Sequence, residues 1–175
     1  MIVVAMGVSG SGKTSVGKAI ASQLSWTFIE GDDLHPSSNK AKMASGVPLT
    51  DQDRWPWLDA IADRMHKIDN AGGSAVVACS ALRHVYRDRL RRSGADLRFL
   101  HLTGDIALIR RRLESRGGHF MPAGLLDSQL ATLEPARPDE TLYEVDISGS
   151  VSDLAQAAIK SVNGRADIFN VVSDS

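Results

Sequence analysis

The chain has 175 residues, 43% of them hydrophobic, with 20 Lys plus Arg against 21 Asp plus Glu and a formal net charge of −1. That length and apolar content suit one domain with a full core, and the charge balance excludes an overall field that would gather nucleic acid or an anionic membrane. A lone cysteine excludes an internal disulfide framework, and the 5 histidines have no metal-site spacing with it. Met1 leads straight into an apolar run without a basic leader or cleavage signature, and no apolar run approaches a membrane span. A cytoplasmic protein is expected, with neither nucleic acid nor membrane as partner.

Ile2 to Met6 reads as a strand buried on both faces, and Val16, Ile20 and Leu24 recur at helical spacing. Between them Gly7-Val8-Ser9-Gly10-Ser11-Gly12-Lys13-Thr14 fits the phosphate-binding pattern G-x-x-x-x-G-K-[ST] at every fixed position, with Ser15 following. The glycines let several backbone N–H groups point at one anion, Lys13 reaches the β/γ-phosphates, and the Thr14 hydroxyl is a ligand for Mg²⁺. The helix then aims its positive N-terminal end at the same phosphates. ATP and Mg²⁺ are the expected cofactors.

Further strands are expected at Trp26 to Ile29, Ala75 to Cys79, Leu97 to Leu102 and Leu142 to Ile147, with helical patterns in most of the gaps. Thr50-Asp51-Gln52-Asp53 has the form of a capping box before Leu58, Ile61, Ala62 and Met65, and Ser150-Val151-Ser152-Asp153 repeats the signal before Leu154, Ala158 and Val162. Strands alternating with helices predict an α/β fold with a mostly parallel sheet, right-handed crossovers and ligands at the carboxyl ends of the strands. His35 to Asp53 and Gly117 to Pro122 do not read as simple crossovers, being rich in Gly, Pro and mixed polarity. Each is expected to be a flap or an ordinary surface loop. Asn163 to Ser175 has no strong pattern, and Cys79 reads as a small packing residue.

Glu30-Gly31-Asp32-Asp33-Leu34-His35 sets three acids at the carboxyl end of the second strand, where an acceptor hydroxyl and Mg²⁺ must meet. Phosphoryl transfer asks mainly for positioning and charge neutralisation, with one carboxylate orienting or deprotonating the attacking hydroxyl. Asp32 is the candidate for that catalytic role, beside Lys13. The third strand ends in Cys79-Ser80 without a carboxylate, so metal support falls to Thr14 with Glu30 or Asp32, and Glu30 is the acid taken as candidate. The competing reading is an acidic turn that caps the next helix. Arg110, Arg111, Arg112 and Arg116 precede the Gly117-Gly118 flap, with Arg112 and Arg116 on one helical face. Arg116 is the candidate to stabilise the transferring phosphoryl group and Arg112 to bind the nucleotide, while about half of the four are expected on a solvated face. Arg54 suits a substrate carboxylate bidentately. Arg83, just beyond the third strand, lies closest to the expected cleft among Arg83, Arg87 and Arg91. His35 and His119 are substrate-binding candidates, or polar loop residues.

These residues match a known family: the chain resembles the gluconokinases of the small P-loop type, related to shikimate and nucleoside monophosphate kinases. The resemblance runs nearly end to end and rests on Met6 to Thr14, Gly31-Asp32-Asp33-Leu34-His35-Pro36, Lys42 to Arg54, Cys79-Ser80-Ala81-Leu82-Arg83 with Tyr86-Arg87-Asp88, and Gly118-His119-Phe120-Met121-Pro122. It implies ATP-dependent phosphorylation of D-gluconate at its 6-hydroxyl, with Mg²⁺, and a homodimer. It also implies a three-layer P-loop kinase fold of one domain over residues 1–175, whose five-stranded parallel sheet has the order 2-3-1-4-5. A substrate-binding segment would span about 35–55 and a lid about 117–135. Arg83 stands where the family more usually has Lys, Thr14 where Ser is common and Glu30 where Asp is common. The alternatives are a kinase for another small acid such as shikimate, a nucleotide kinase, and a non-catalytic nucleotide-binding switch.

Overall fold

Five strands form one parallel sheet, β1 (Ile2–Met6), β2 (Thr27–Glu30), β3 (Ala75–Ala78), β4 (Leu97–Thr103) and β5 (Leu142–Asp146), in the spatial order β2-β3-β1-β4-β5. The structure, a computed structural model, describes residues 1–115 and 123–164. The expected strand order and parallel sense are therefore present, and every strand end lies within one residue of the sequence reading. Trp26, for instance, precedes β2, which runs one residue further to Glu30.

Among the described residues there are seven α-helices, α1 (Lys13–Leu24), α2 (Ser37–Ala44), α3 (Asp51–Asn70), α4 (His84–Arg91), α5 (Ile106–Ser115), α6 (Ala123–Thr132) and α7 (Val151–Asn163), which between them cover both faces of the sheet. The alternation of side chains along a strand sends Val3 and Ala5 of β1 to one side, where they meet Val16 and Ile20 of α1, Ile109 of α5 and Leu154 of α7. Ile2, Val4 and Met6 go to the other, against Leu58, Ile61 and Met65 of α3 and Leu90 of α4. Because both faces are covered, β1 and β3 are apolar at every position and all their residues are buried. This is the three-layer P-loop kinase fold. Among the described residues no helix is long and apolar enough to cross a membrane.

Both expected caps form. Thr50 Oγ1 accepts from the Asp53 N–H while Asp53 Oδ2 accepts from the Thr50 N–H, closing the box at the start of α3, and Ser150 Oγ accepts from the Asp153 N–H at the start of α7. The stretch 35–53 is more ordered than its Gly and Pro content suggests, because it contains α2 and is stitched to α3. Asn39, buried in α2, donates to the Asp53 carbonyl at 2.7 Å, and Lys42 pairs with Asp53 at 2.6 Å. The Gly117 to Pro122 flap, with Arg116 and His119, and the tail 165–175 lie outside the described residues.

Candidate active site

The phosphate loop leaves β1 and curls under the N-terminus of α1. Gly7, Gly10 and Gly12 hold φ values of +136°, +83° and +94°, a region that L side chains avoid. A Cβ on Gly7 would also stand 2.9 Å from the Leu102 carbonyl oxygen. Val8 is buried in the core beneath the loop, so its contribution is its backbone, and its carbonyl accepts from Lys13 Nζ at 2.9 Å and from the Ser11 N–H. Ser11 is fully buried. Ser15 is exposed in the first turn of α1. Arg112, on α5, donates to the Ile147 carbonyl at 2.9 Å, and its Nη1 lies 4.0 Å from where a Cβ on Gly12 would stand. It therefore overhangs the loop.

The sequence reasoning did not single out Gln129. From α6 its Oε1 accepts from the Ser9 N–H at 2.7 Å, across 120 residues of chain. No local pattern signals such a contact.

Beside the loop, β2 ends at Glu30, whose Oε2 accepts from Thr14 Oγ1 at 2.8 Å. The chain then turns tightly through Gly31 to Leu34, with the Gly31 Cα so close to β3 that a Cβ would sit 2.4 Å from the Ala78 carbonyl oxygen. Trp57 of α3 fixes the same turn by donating its indole N–H to the Gly31 carbonyl at 2.7 Å. Asp32 is exposed on this turn, at the strand-end position that the sequence assigned to it. A hard cation such as Mg²⁺ prefers oxygen donors and keeps several waters and substrate phosphates in its shell. The Thr14 hydroxyl and the Glu30 carboxylate, already within hydrogen-bond distance, are donors of that kind, so the residues present fit the metal. Among the described residues no group of three His, Cys, Asp or Glu side chains forms a closed protein cage.

His35 ends the turn, nearly buried, stacked on Trp57 with 4.1 Å between ring centroids. Asn39 Nδ2 lies 3.2 Å from His35 Nδ1 while also donating to the Asp53 carbonyl. An amide nitrogen can only donate, so Nδ1 is the acceptor and the proton of the neutral ring resides on Nε2. Burial lowers the His35 pKa below its ordinary value, Asp32 opposing and Arg54 and Lys40 adding to the effect.

Arg54 and Arg83 converge on Tyr86, their guanidinium carbons 5.6 Å and 5.5 Å from its ring centroid. Arg54 donates to the Leu49 carbonyl. Arg83 sits just before α4 and pairs with Asp51 at 2.6 Å. Its loop is strained and pinned: Ala81 is buried with φ of +45°, and Leu82 accepts from the Glu134 N–H at 2.8 Å. Arg87 is fully buried rather than a cleft residue, its Nε and Nη2 donating to the two oxygens of Glu140 at 2.7 Å and 3.0 Å and its Nη1 to the Ala81 and Leu82 carbonyls. Arg91 faces Asp88, and Arg110 pairs with Asp127 at the surface. Cys79 is buried, which pushes its thiol up to about 12; it packs and does not react.

Residues 2–136 match a family described as an AAA domain. The chain is 41% identical to a probable gluconokinase of Xenopus tropicalis, over 95% of this chain and 94% of that one. It is 48% identical to the gluconokinase of Gluconobacter oxydans (strain 621H), over 82% of this chain and 80% of that one. The chain belongs to the gluconokinase family. Among solved structures, a gluconokinase from Sinorhizobium meliloti 1021 superposes with a TM-score of 0.81 at 46% identity, covering 91% of this chain and 90% of that one. The protein is thus a kinase of the P-loop type, which implies ATP as phosphoryl donor. In this gluconokinase homologue, segments that carried the resemblance are joined at the carboxyl ends of β2 and β3: His35 is bonded to Asn39 of α2, and Arg83 beyond β3 pairs with Asp51 of the Lys42 to Arg54 stretch. They lie where the phosphate loop leaves β1, whose Gly7 N–H bonds the Ser80 carbonyl at 3.2 Å.

Proposed function

We propose that this kinase transfers the γ-phosphoryl group of ATP to the 6-hydroxyl of D-gluconate, giving 6-phospho-D-gluconate. The observation that carries the reading is where Asp32 stands: exposed on the Gly31–Leu34 turn, between Glu30, whose Oε2 accepts from Thr14 of the phosphate loop, and His35, whose Nδ1 accepts from Asn39 of the 35–55 segment. One exposed carboxylate thus borders both the phosphate loop and the 35–55 segment, where the attacking hydroxyl has to be held.

In this reading the backbone of Gly7 to Thr14, with Ser15 and the overhanging Arg112, binds the triphosphate. Lys13 neutralises charge on the phosphates, and Asp32 orients the acceptor hydroxyl and takes its proton as the phosphoryl group arrives. Mg²⁺, when bound, supplies charge neutralisation on the β- and γ-phosphates, and Thr14 with Glu30 would hold it. Arg54 and Arg83 receive the gluconate carboxylate, and the neutral Nε2–H of His35 is a donor for its hydroxyls. Residues 35–55 form the substrate-binding segment, and 117–135 a lid bringing Arg116 to the phosphoryl group and His119 to the substrate. The same reading takes the chain as one domain acting as a homodimer in the cytoplasm.

The test measures ADP release with Mg-ATP against gluconate, shikimate, AMP and no acceptor. Release that depends on gluconate is expected; gluconate-independent release, or none with any acceptor, overturns the reading. A positioned base contributes about 10² to 10⁴ in rate, so Asp32→Asn is expected to lower kcat by that much while ATP binding holds. A kcat within a few-fold of the parent removes Asp32 from the reaction.

A further inference from the structure

The acceptor side contains a pairing that the substrate reading does not by itself require. Asp51, the first residue of α3, turns its carboxylate toward α4. Tyr86 donates its hydroxyl to Oδ1 at 2.6 Å, and Arg83 donates from Nη1 to Oδ2 at 2.6 Å. The same tyrosine ring carries the Arg54 and Arg83 guanidinium groups within 5.6 Å and 5.5 Å of its centroid. Two cations therefore share one aromatic surface, and one of them is already matched by a carboxylate of the protein. Glu134 Oε1 stands farther from Arg83 Nε, at 3.7 Å, and its other oxygen accepts from the His84 N–H.

The hydrogen bond from Tyr86, followed by those from Arg83, holds the Asp51 carboxyl below the usual carboxylate range. It is therefore ionised at neutral pH. Arg83 is held charged in turn, its pKa raised by Tyr86 and Asp51.

We propose that Asp51 is a specificity-determining residue: by matching the charge of Arg83, which Glu134 also faces at 3.7 Å, it leaves Arg54 as the unmatched cation of the pair, suited to a monoanionic carboxylate and unfavourable to a phosphate dianion. This rests on the reading that Arg54 and Arg83 receive the acid end of the acceptor. The chemical logic is a difference of affinities. A monocarboxylate finds one unmatched cation and hydroxyl-binding groups around it. A phosphate ester of similar size brings a second negative charge, and Asp51 stands within a few ångströms of it without a spare cation. Removing the Asp51 charge strengthens binding of both anions, but of the dianion more steeply, because the Coulomb energy scales with ligand charge.

The experiment compares the parent enzyme, Asp51→Asn and Asp51→Glu, using a pentitol 1-phosphate as competitive inhibitor against gluconate at saturating Mg-ATP. The asparagine keeps the shape, its amide accepting from Arg83 and donating to Tyr86. The expected result is a fall of about tenfold in the ratio of the inhibitor Ki to the gluconate KM for Asp51→Asn, with the parent ratio retained in Asp51→Glu. A purely structural role moves Ki and KM together and leaves the ratio unchanged, which overturns the proposal. If Asp51→Asn does not fold, Asp51→Ser supplies the neutral variant with the same expected fall. A parent enzyme that does not phosphorylate gluconate defeats the substrate reading itself. A parent that does so, with a ratio insensitive to the neutral variants, defeats only the role of Asp51.

Discussion

Thr14 Oγ1 and Glu30 Oε2 lie 2.8 Å apart, joining the first turn of α1 to the last residue of β2. In the proposed site the bond sets in one place the hydroxyl that would ligate Mg²⁺ and the carboxylate that would hold the metal's water shell. Outer-shell partners of a metal typically account for about 10- to 100-fold in metal affinity. Glu30→Gln is therefore expected to raise the Mg²⁺ concentration for half-maximal rate by at least about tenfold. The gluconate KM should change little. A magnesium titration of ADP release checks this, and an unaltered midpoint would take Glu30 out of the metal site.

The buried pair Arg87–Glu140 supports the loop that carries Arg83. Both side chains are fully buried, and Glu140 also accepts from the Arg137 N–H at 2.8 Å. Removing one partner of such a pair strands the other charge and costs about 3–5 kcal/mol. Glu140→Ala is expected to lose that much in urea unfolding at pH 7. Burial alone would raise the Glu140 carboxyl, but its bonds from Arg87 and Arg137 prevail and hold it below the ordinary 4.5. With a folded pKa below the unfolded one, its stabilisation is complete above about 4.5 and is lost as pH falls through the depressed value. The gap between parent and variant should therefore narrow in acid; a gap that stays constant down to pH 2 would contradict this account.

What the sequence conveyed and what it withheld divide along chain separation. The strands, the phosphate loop and both caps are local patterns, each confined to a few neighbouring residues, and all formed. The order of the sheet and the clustering at the ends of β2 and β3 followed from the family resemblance and the strand–helix alternation. The contacts that sequence reading missed join residues far apart: Asp51 to Tyr86 over 35 positions, Arg87 to Glu140 over 53 and Ser9 to Gln129 over 120. The burial of Arg87 was not legible for a specific reason. Its spacing from Arg83 and Arg91 marks a helical face, but burial of that face depends on the 133–140 segment folding over it. Similarly, the Gly and Pro content of 35–53 says nothing of Asn39, whose single amide ties α2 to α3.

His35 gives a pH dependence of opposite origin to a salt bridge. Burial lowers its folded pKa below the unfolded 6.5, so the unfolded chain binds the proton more tightly. Stability is then lost as pH falls below about 6.5, because ∂ΔG/∂pH is positive wherever the unfolded state holds more protons. His35→Gln is expected to flatten the decline in the urea midpoint between pH 7.5 and 5.5. The flattening is partial, since His101 is also lowered by burial. Parallel curves for parent and variant would show that folding leaves the ring's proton affinity unshifted, and would overturn this account.

Gln129 couples α6 to the phosphate loop through one hydrogen bond, Ser9 N–H to Oε1 at 2.7 Å. A neutral bond of this kind contributes about 0.5–1.5 kcal/mol. If it holds the loop ready for nucleotide, Gln129→Ala should raise the ATP KM by about twofold to tenfold and leave the gluconate KM alone. Gln129→Glu keeps an acceptor for Ser9 but brings a negative charge to the edge of the anion site, so its ATP KM is expected to rise further than that of the alanine variant. Steady-state kinetics at saturating gluconate distinguish this from the opposite arrangement, in which the side chain occupies an N–H that the triphosphate needs. In that case truncation frees the donor and the ATP KM falls, and a fall in Gln129→Ala would overturn the anchoring role.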